Sequence, residues 1–72
     1  MGRNTIAIPS KVMARILESA GAHRVSKEAA NTLRDIIMGK AKEISEQAIK
    51  IAKHSGRTTV NDGDVRLAVR KH

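Results

Sequence analysis

Hydrophobic residues recur at intervals of three and four along most of the chain, and this spacing predicts amphipathic helices. The first such stretch covers about residues 9–20. Pro9 suits the first turn of a helix, where its missing N–H costs nothing, and Gly21 is typical of a helix C-terminus. The apolar positions of this predicted helix are Val12, Met13, Ile16, Leu17 and Ala20.

The second stretch is much longer, since the sequence from residue 27 to residue 54 contains no proline and only one glycine, Gly39. Ser26 is a favourable N-cap before it, and Gly56 follows Ser55 at its end. A single helix of about 28 residues is therefore predicted. Charged residues occupy most of one face. The apolar stripe on the other consists of Ala29, Leu33, Ile36, Ile37, Ala41, Ile44, Ala48, Ile51 and Ala52.

A third helix is predicted near the C-terminus, after a short connecting segment. This segment is RTTV, residues 57–60, whose threonines and valine favour an extended, strand-like backbone. Asn61 is a favourable N-cap, and Asp62 and Asp64 place negative charge in the first turn, where the helix dipole favours it. The sequence thus predicts one all-α domain of three helices over residues 9–72, preceded by a short N-terminal arm, residues 1–8.

The length of 72 residues allows one domain. A domain of this size buries only about 60% of the surface that its unfolded chain exposes, so it usually needs a further source of stability. The chain has no cysteine, which excludes disulfides, and its three histidines match no metal-ligand spacing. We therefore expect no metal and no cofactor, and we expect association with a second copy or another chain.

The predicted middle helix is also too long for a domain of this size. At about 28 residues it measures about 42 Å, whereas a compact chain of this length forms a sphere roughly 29 Å across. A second copy that crosses the helix near its midpoint would cover the apolar stripe, and two-fold symmetry would place the crossing near residues 39–41. Gly39 either permits a close approach of two backbones there or is a tolerated helix glycine, which costs about 1 kcal/mol relative to alanine.

Lys40 is unexpected at this crossing, because it lies on or beside the apolar stripe. Its aliphatic stem can pack against apolar neighbours while its ammonium group reaches water. If the ammonium group is buried, it needs a carboxylate from the partner, and the candidates are Glu43 and Asp35.

The formal net charge of +7, from 14 Lys and Arg against 7 Asp and Glu, indicates a polyanionic partner. The basic residues are spread along the chain, so we expect the folded surface itself to be basic. The absence of Phe, Tyr and Trp disfavours single-stranded nucleic acids, whose bases usually stack on aromatic side chains. Duplex DNA held by its phosphate backbone requires no such side chains. No apolar run approaches the roughly 18 residues of a membrane span, and no secretory signal is recognisable, so we expect a cytoplasmic protein without a membrane partner.

Three segments resemble the archaeal histones, which are related to the eukaryotic core histones: IAIPSKVMARIL, AGAHRVSKEAA and SEQAIKIAKHSGRTTVNDGDVRLAVR. The resemblance covers roughly residues 6–71, and the third segment is the most specific. It implies the histone fold, in which two chains pair head to tail as a handshake homodimer. It also implies a chromatin protein of the nucleoid that binds double-stranded DNA with little sequence preference and wraps, bends or compacts it. In this family an apolar residue is usual at the position of Lys40.

The resemblance assigns DNA-binding roles to individual residues. It implies that Arg24 enters the DNA minor groove, that Thr59 of the partner subunit lies beside this arginine, and that Arg15 contacts a phosphate. In the handshake dimer Arg57 and Thr58 join them at the same surface, where helix N-termini also offer N–H groups to phosphate. The further basic candidates for DNA contact are Lys11 and Lys53.

Structural and assembly roles also follow from the resemblance. Arg57 and Asp64 correspond to a salt-bridged pair that fixes the second loop against the third helix. Gly21 corresponds to a small residue where the turns of a histone–DNA superhelix stack closely. The surface between dimers would consist of Ile51, His54, Asp64 and Leu67.

Simpler roles and several sizes of assembly stay open for these residues. His54 near a helix C-terminus could simply favour the helix dipole, and Ile51 and Leu67 could be ordinary core residues. Dimers, tetramers and polymers along DNA all fit the sequence, as does a heterodimer with a paralogue.

Other classes of function compete with this hypothesis. A histone-fold subunit of a transcription or chromatin complex would act mainly through protein–protein contacts and would need a different partner chain. A helix-turn-helix factor would read bases with a short recognition helix, which a middle helix of about 28 residues disfavours. An enzyme is disfavoured because the sequence contains no nucleophile–base pair, no glycine-rich phosphate loop and no set of metal ligands.

Overall fold

The computed structural model describes residues 8–70, which form three α-helices: α1 (Ser10–Ser19), α2 (Lys27–His54) and α3 (Asp62–Arg70). These residues contain no strand, so the prediction of an all-α protein is confirmed. The long middle helix has the bounds that the apolar spacing indicated. Residues 1–7 of the predicted N-terminal arm lie outside the described residues, as do residues 71 and 72. None of the three helices combines the length and the apolar character that crossing a bilayer requires.

The first two helices begin at different kinds of N-cap. Pro9 occupies the N-cap position of α1, one residue before the first helical turn, with a ψ angle of 135°. Its carbonyl group accepts the N–H of Val12 at 3.0 Å. At the start of α2, the hydroxyl Oγ of Ser26 accepts the N–H of Ala29 at 3.0 Å, which is the side-chain cap that a serine at this position predicts.

Helix α1 ends in a Schellman motif centred on Gly21. The φ angle of Gly21 is 120°, a backbone conformation that residues with a Cβ atom rarely adopt. The N–H of Gly21 donates to the carbonyl of Glu18, and the N–H of Ala22 donates to the carbonyl of Leu17, both at 3.0 Å. These bonds satisfy carbonyl groups that have no partner inside the helix.

Helix α2 ends in the same motif, with Gly56 in the position that Gly21 has in α1. The φ angle of Gly56 is 77°, and its N–H donates to the carbonyl of Lys53 at 2.9 Å. The N–H of Arg57 donates to the carbonyl of Ala52, also at 2.9 Å. The backbone of Arg57 is therefore tied to the last turn of α2, which determines where its side chain can reach.

The segment between α2 and α3 is bent, contrary to the expectation of a strand-like backbone. The chain bends at Thr58 and Thr59. The Nη1 group of Arg57 donates to the carbonyl of Thr59, only two residues away, at 3.2 Å. An extended segment needs a neighbouring strand for its N–H and C=O groups, and residues 8–70 supply none. The β propensity of the threonines is therefore overridden by local hydrogen bonds.

The apolar side chains that the described chain buries are mostly small. The chain forms two compact units, with the boundary after residue 37. Four of the five buried apolar residues are alanines, and no large side chain among the described residues is completely buried. Such a core contributes little hydrophobic stabilisation, since that contribution scales with the apolar area removed from water. The buried apolar residues are Met13 and Ala30 in the first unit, and Ala48, Ala52 and Ala68 in the second.

The buried line of α2 differs slightly from the predicted stripe. Ala29 is exposed, whereas its neighbour Ala30 is only 3% exposed. Ala30 precedes Ala48 by 18 positions (48 − 30 = 18), about five helical turns, so the two alanines lie on one line along the helix. Ile36, which the spacing placed on the stripe, is 58% exposed.

Large apolar side chains stay accessible on all three helices. Each is between 40% and 58% exposed, although aliphatic side chains of this size are usually buried. Exposed apolar surface of this extent is typical of a chain that completes its core with a partner. The residues concerned are Val12 and Ile16 of α1, Ile36 and Ile49 of α2, Val60 of the connection, and Val65, Leu67 and Val69 of α3.

Candidate nucleic-acid interface

The side chains predicted to contact DNA are accessible to solvent, with one partial exception. Arg57 is half-buried, and its side chain is 37% exposed. All the others are exposed in the described chain, so a phosphate group of DNA could reach them. These exposed members of the set are Lys11, Arg15, Arg24, Lys53, Thr58 and Thr59.

Arg57 is held by a two-fold hydrogen bond to the carboxylate of Asp64. Its Nη1 and Nη2 groups donate to Oδ2 and Oδ1 of Asp64, both at 2.8 Å. This parallel pairing is the strongest and most directional arrangement that an arginine and a carboxylate can form. The same Nη1 group also donates to the carbonyl of Thr59. One guanidinium group thus ties the end of α2, the connecting segment and the first turn of α3 to one another.

Asp64 has a second role, which the sequence interpretation missed. Its Oδ2 atom also accepts the backbone N–H of Asn61, the N-cap residue of α3, at 2.9 Å. A carboxylate three residues after an N-cap that bonds back to the N-cap N–H forms half of a capping box. The spacing from Asn61 to Asp64 carried that signal in the sequence.

The carboxylate of Asp64 is buried and ionised. Its side chain is only 5% exposed, and it is the one buried charged group among the described residues. The hydrogen bonds from Arg57, then the N–H of Asn61, and also the positive charge of Arg57 lower the pKa of Asp64 to about 2, although burial opposes this shift. Conversely, the hydrogen bond to Asp64 raises the pKa of Arg57. The pair therefore stays charged on both sides at any pH near neutrality.

The consequence for the connecting segment is a restrained backbone that carries two exposed threonines. Thr58 and Thr59 lie between two restrained positions, Arg57 and the capped N-terminus of α3, and both are exposed. Threonine hydroxyls and backbone N–H groups are common donors to phosphate oxygens. The segment can therefore present donors without a large loss of conformational freedom on binding.

Arg24 lies in the connection between α1 and α2, where both neighbouring helix ends are restrained. On one side Ala22 donates its N–H to Leu17, and on the other Ser26 accepts the N–H of Ala29. Three residues separate Ala22 from Ser26, so the backbone of Arg24 has little freedom while its side chain stays exposed. Arg24 is thus an exposed cation on a short connection whose two ends are restrained.

The residues predicted for contact between dimers divide into two groups. Ile51, His54 and Leu67 line one open groove in the second unit, and Leu67 is 41% exposed, so it is not a core residue of the single chain. Asp64 does not line the groove, because its carboxylate is buried against Arg57 and Asn61. The other residues that line the groove are Gln47, Lys50 and Ser55.

Gly21 has a conformational reason to be glycine. Its φ angle of 120° would strain any residue with a Cβ atom, although the space around that Cβ position is open within the described chain. The stacking role that the resemblance implies is additional to this requirement. Among residues 8–70, no group of three or more His, Cys, Asp and Glu side chains is arranged to hold a metal ion.

Comparison with known proteins gives a consistent result. Residues 6–69 match the family model described as "Histone-like transcription factor (CBF/NF-Y) and archaeal histone". A subunit of the archaeal histone HAN1 of Thermococcus zilligii is 41% identical over 63 residues, which cover 88% of this chain and 94% of that protein. The probable archaeal histone 3 of Methanocaldococcus jannaschii is 38% identical over 63 residues, with the same coverage of both chains.

Replacing Asp64 with asparagine is expected to lower the thermal unfolding midpoint by several degrees at neutral pH, because Arg57 loses its charged partner. The folded pKa of about 2 lies below the value of about 3.9 for an unperturbed aspartate. The stabilisation is therefore complete above about pH 4 and is lost as the pH falls towards 2. Circular dichroism at 222 nm from pH 7 to pH 2 should show the wild-type and variant midpoints converging in this range.

Asp62→Asn is the matched control for this experiment. Asp62 lies in the same helical turn, but its ion pair with Arg66 spans 3.4 Å between side chains that are 84% and 81% exposed. Exposed pairs of this kind contribute little to stability, so the midpoint should change little at any pH. Two results would contradict the stabilising role of the Arg57–Asp64 ion pair. One is an equal change of the unfolding midpoint in both variants. The other is a difference in midpoint between wild type and Asp64→Asn that stays constant down to pH 2.

Proposed function

Because the chain belongs to the family of histone-like transcription factors and archaeal histones, we propose that it forms a histone-fold homodimer that binds duplex DNA through the phosphate backbone and bends or wraps it. Family membership supports the general statement that this is a DNA-binding chromatin protein that dimerises through its histone fold. Beyond this general statement, we propose which residues contact DNA, how the DNA is held and how the chains assemble. It places the protein on the chromosome and assigns it no catalytic activity.

The observation that carries the proposal is the restrained segment at residues 57–60, which is exposed after Arg57. Arg57 and Asp64 hold its backbone, and Thr58 and Thr59 are exposed to solvent. In a handshake dimer the connection that carries Arg24 in one chain lies beside this segment of the other chain. Each dimer then offers two such surfaces, in which an arginine enters the minor groove and threonines bond to phosphates.

The charge and the composition support binding to the backbone in preference to binding to bases. A net charge of +7 per chain provides a strong, sequence-independent attraction to duplex DNA. The chain has no aromatic side chain with which to stack on exposed bases. Preference among duplexes then comes from how easily each sequence bends.

The dimer itself is supported by the surface that the single chain leaves uncovered. Ile36 is 58% exposed, and a Cβ atom built on Gly39 has no neighbour within 4 Å. A second copy of α2 that crosses here would cover Ile36. Its backbone would approach closely at Gly39. In this proposal Gly39 therefore lies at the crossing of the two α2 helices.

Association beyond the dimer would use the groove of the second unit. Ile51 and Leu67 supply its apolar part and His54 supplies a polar group. Two such grooves facing each other across a two-fold axis would join dimers into tetramers, and repeated contacts would extend the assembly along DNA. A heterodimer with a paralogous chain is the alternative composition, and the name of the Thermococcus zilligii relative describes it as a subunit.

A second candidate function is that of a histone-fold subunit in a transcription complex. The family description includes transcription factors, which is the observation that favours it. Such a subunit would act through protein–protein contacts and would pair with a different chain. Homodimers that bind unrelated duplexes with similar affinity would argue against it.

Digestion of random-sequence duplex DNA by micrococcal nuclease, in the presence of the protein at moderate salt, tests the proposal. We expect protected fragments of regularly spaced lengths, because each dimer that wraps DNA shields a constant length and successive dimers add to it. A smear without protected sizes would contradict wrapping, and protection of a single site in one duplex would favour a sequence-specific factor.

Replacing Arg24 with alanine is expected to weaken binding to unrelated duplexes to a similar extent. The slope of the logarithm of the binding constant against the logarithm of the salt concentration should fall by about one unit for each phosphate that the variant no longer neutralises. Fluorescence anisotropy with labelled duplexes of unrelated sequence measures both quantities. Arg66→Ala is the control, since it removes an equal charge from an exposed residue of α3 that has no assigned role in DNA binding. Weaker binding to only one of the sequences would count against this role of Arg24.

A further inference from the structure

Lys40 is an exposed cation within the apolar surface of α2. One turn before it lies Ile36, which is 58% exposed, and one turn after it lies the half-buried Ile44. Residues three and four apart are neighbours on the surface of a helix, so the ammonium group interrupts the apolar surface that a partner must cover. A charge at this position is costly to remove from water unless a carboxylate accompanies it.

The structure separates the two acidic residues that could serve this purpose. At about 100° per residue, Glu43 lies about 60° around the helix from Lys40, whereas Asp35 lies about 140° away. Only Glu43 therefore shares the side of α2 on which Lys40 lies.

Symmetry brings these two residues together across a dimer. Helix α2 spans residues 27–54, so its midpoint falls between Lys40 and Ala41. A two-fold axis at that midpoint places the partner's Glu43 opposite position 38, about 3 Å along the helix from Lys40. It also places the partner's Lys40 close by. The like charges repel each other unless each ammonium group has a carboxylate of the other chain beside it.

We propose that Lys40 of each protomer pairs with Glu43 of the partner subunit, twice per dimer, and that these reciprocal ion pairs select the partner chain. The inference rests on the proposed handshake homodimer and specifies its crossing. Its main effect is on specificity, because a paralogous chain without a carboxylate at the position of Glu43 would leave an ammonium group unpaired in the interface. Charged residues beside an apolar interface determine partner choice in coiled coils in the same way.

Exchanging the charges tests this proposal. Lys40→Glu and Glu43→Lys each turn both interchain pairs into repulsive ones, so each variant alone should have a homodimer dissociation constant about tenfold or more above that of the wild type. An equimolar mixture, unfolded and refolded together, restores both pairs in the heterodimer. We expect the mixture to unfold at a clearly higher temperature than either variant alone at the same total concentration, as measured by circular dichroism at 222 nm.

The mixture also distinguishes this pairing from one within the chain. Lys40 and Glu43 are three residues apart on one helix, and an intrachain pair would be broken in both variants and would stay broken after mixing. The matched control exchanges Lys42 and Glu46, which are exposed on α2 and lie about 160° and 120° around the helix from Lys40. Lys42→Glu and Glu46→Lys should show no gain on mixing.

Two negative results have different meanings. A wild-type unfolding temperature that does not depend on protein concentration would overturn the dimer and with it the proposed function. A wild-type temperature that depends on concentration, together with a mixture that unfolds midway between its two components, would overturn only the Lys40–Glu43 pairing.

Discussion

The apolar surface of α2 is the constraint on which the rest of the structure depends. A helix of 28 residues is about 42 Å long, and a chain of 72 residues has too little mass to cover it on all sides. The described residues bury one methionine and a few alanines, while aliphatic side chains on every helix stay accessible. Hydrophobic burial is the main source of stability in a folded protein, so this chain needs additional apolar surface from outside itself. In the proposed homodimer a second copy would supply that surface and, by its symmetry, would double any binding site on the first.

The geometry of the proposed DNA-binding surface depends in turn on how the helices end. Gly21 and Gly56 close α1 and α2 with the same hydrogen-bond pattern, and the residue after each glycine begins a short, restrained connection. In the second connection one buried carboxylate, that of Asp64, holds both the guanidinium group of Arg57 and the N-cap of α3. The protein thus uses one acidic residue to organise a surface whose remaining charged groups are mostly basic.

Much of the fold could be predicted from the sequence because its signals are local. Periodicity, the Ser26 cap and Gly56 fix the bounds of α2, and they act through neighbours within a few residues. The apolar spacing placed Ala29 on the buried line, whereas the structure buries Ala30. Hydrophobicity could not distinguish them because both residues are alanines. The bend at Thr58 and Thr59 was missed because it depends on where Arg57 donates its hydrogen bonds. The candidate site was predicted mainly from the resemblance to the archaeal histones, since an interface between two chains leaves no local pattern in one sequence.

The measurement that tests the central claim most directly follows helicity and molar mass together during dilution. The chain has no aromatic residue, so circular dichroism at 222 nm and sedimentation with interference optics replace detection at 280 nm. We expect the helical signal and the dimer mass to disappear together as the concentration falls, because a single chain cannot cover α2. A monomer that keeps its full helical signal at the lowest concentration would contradict the claim.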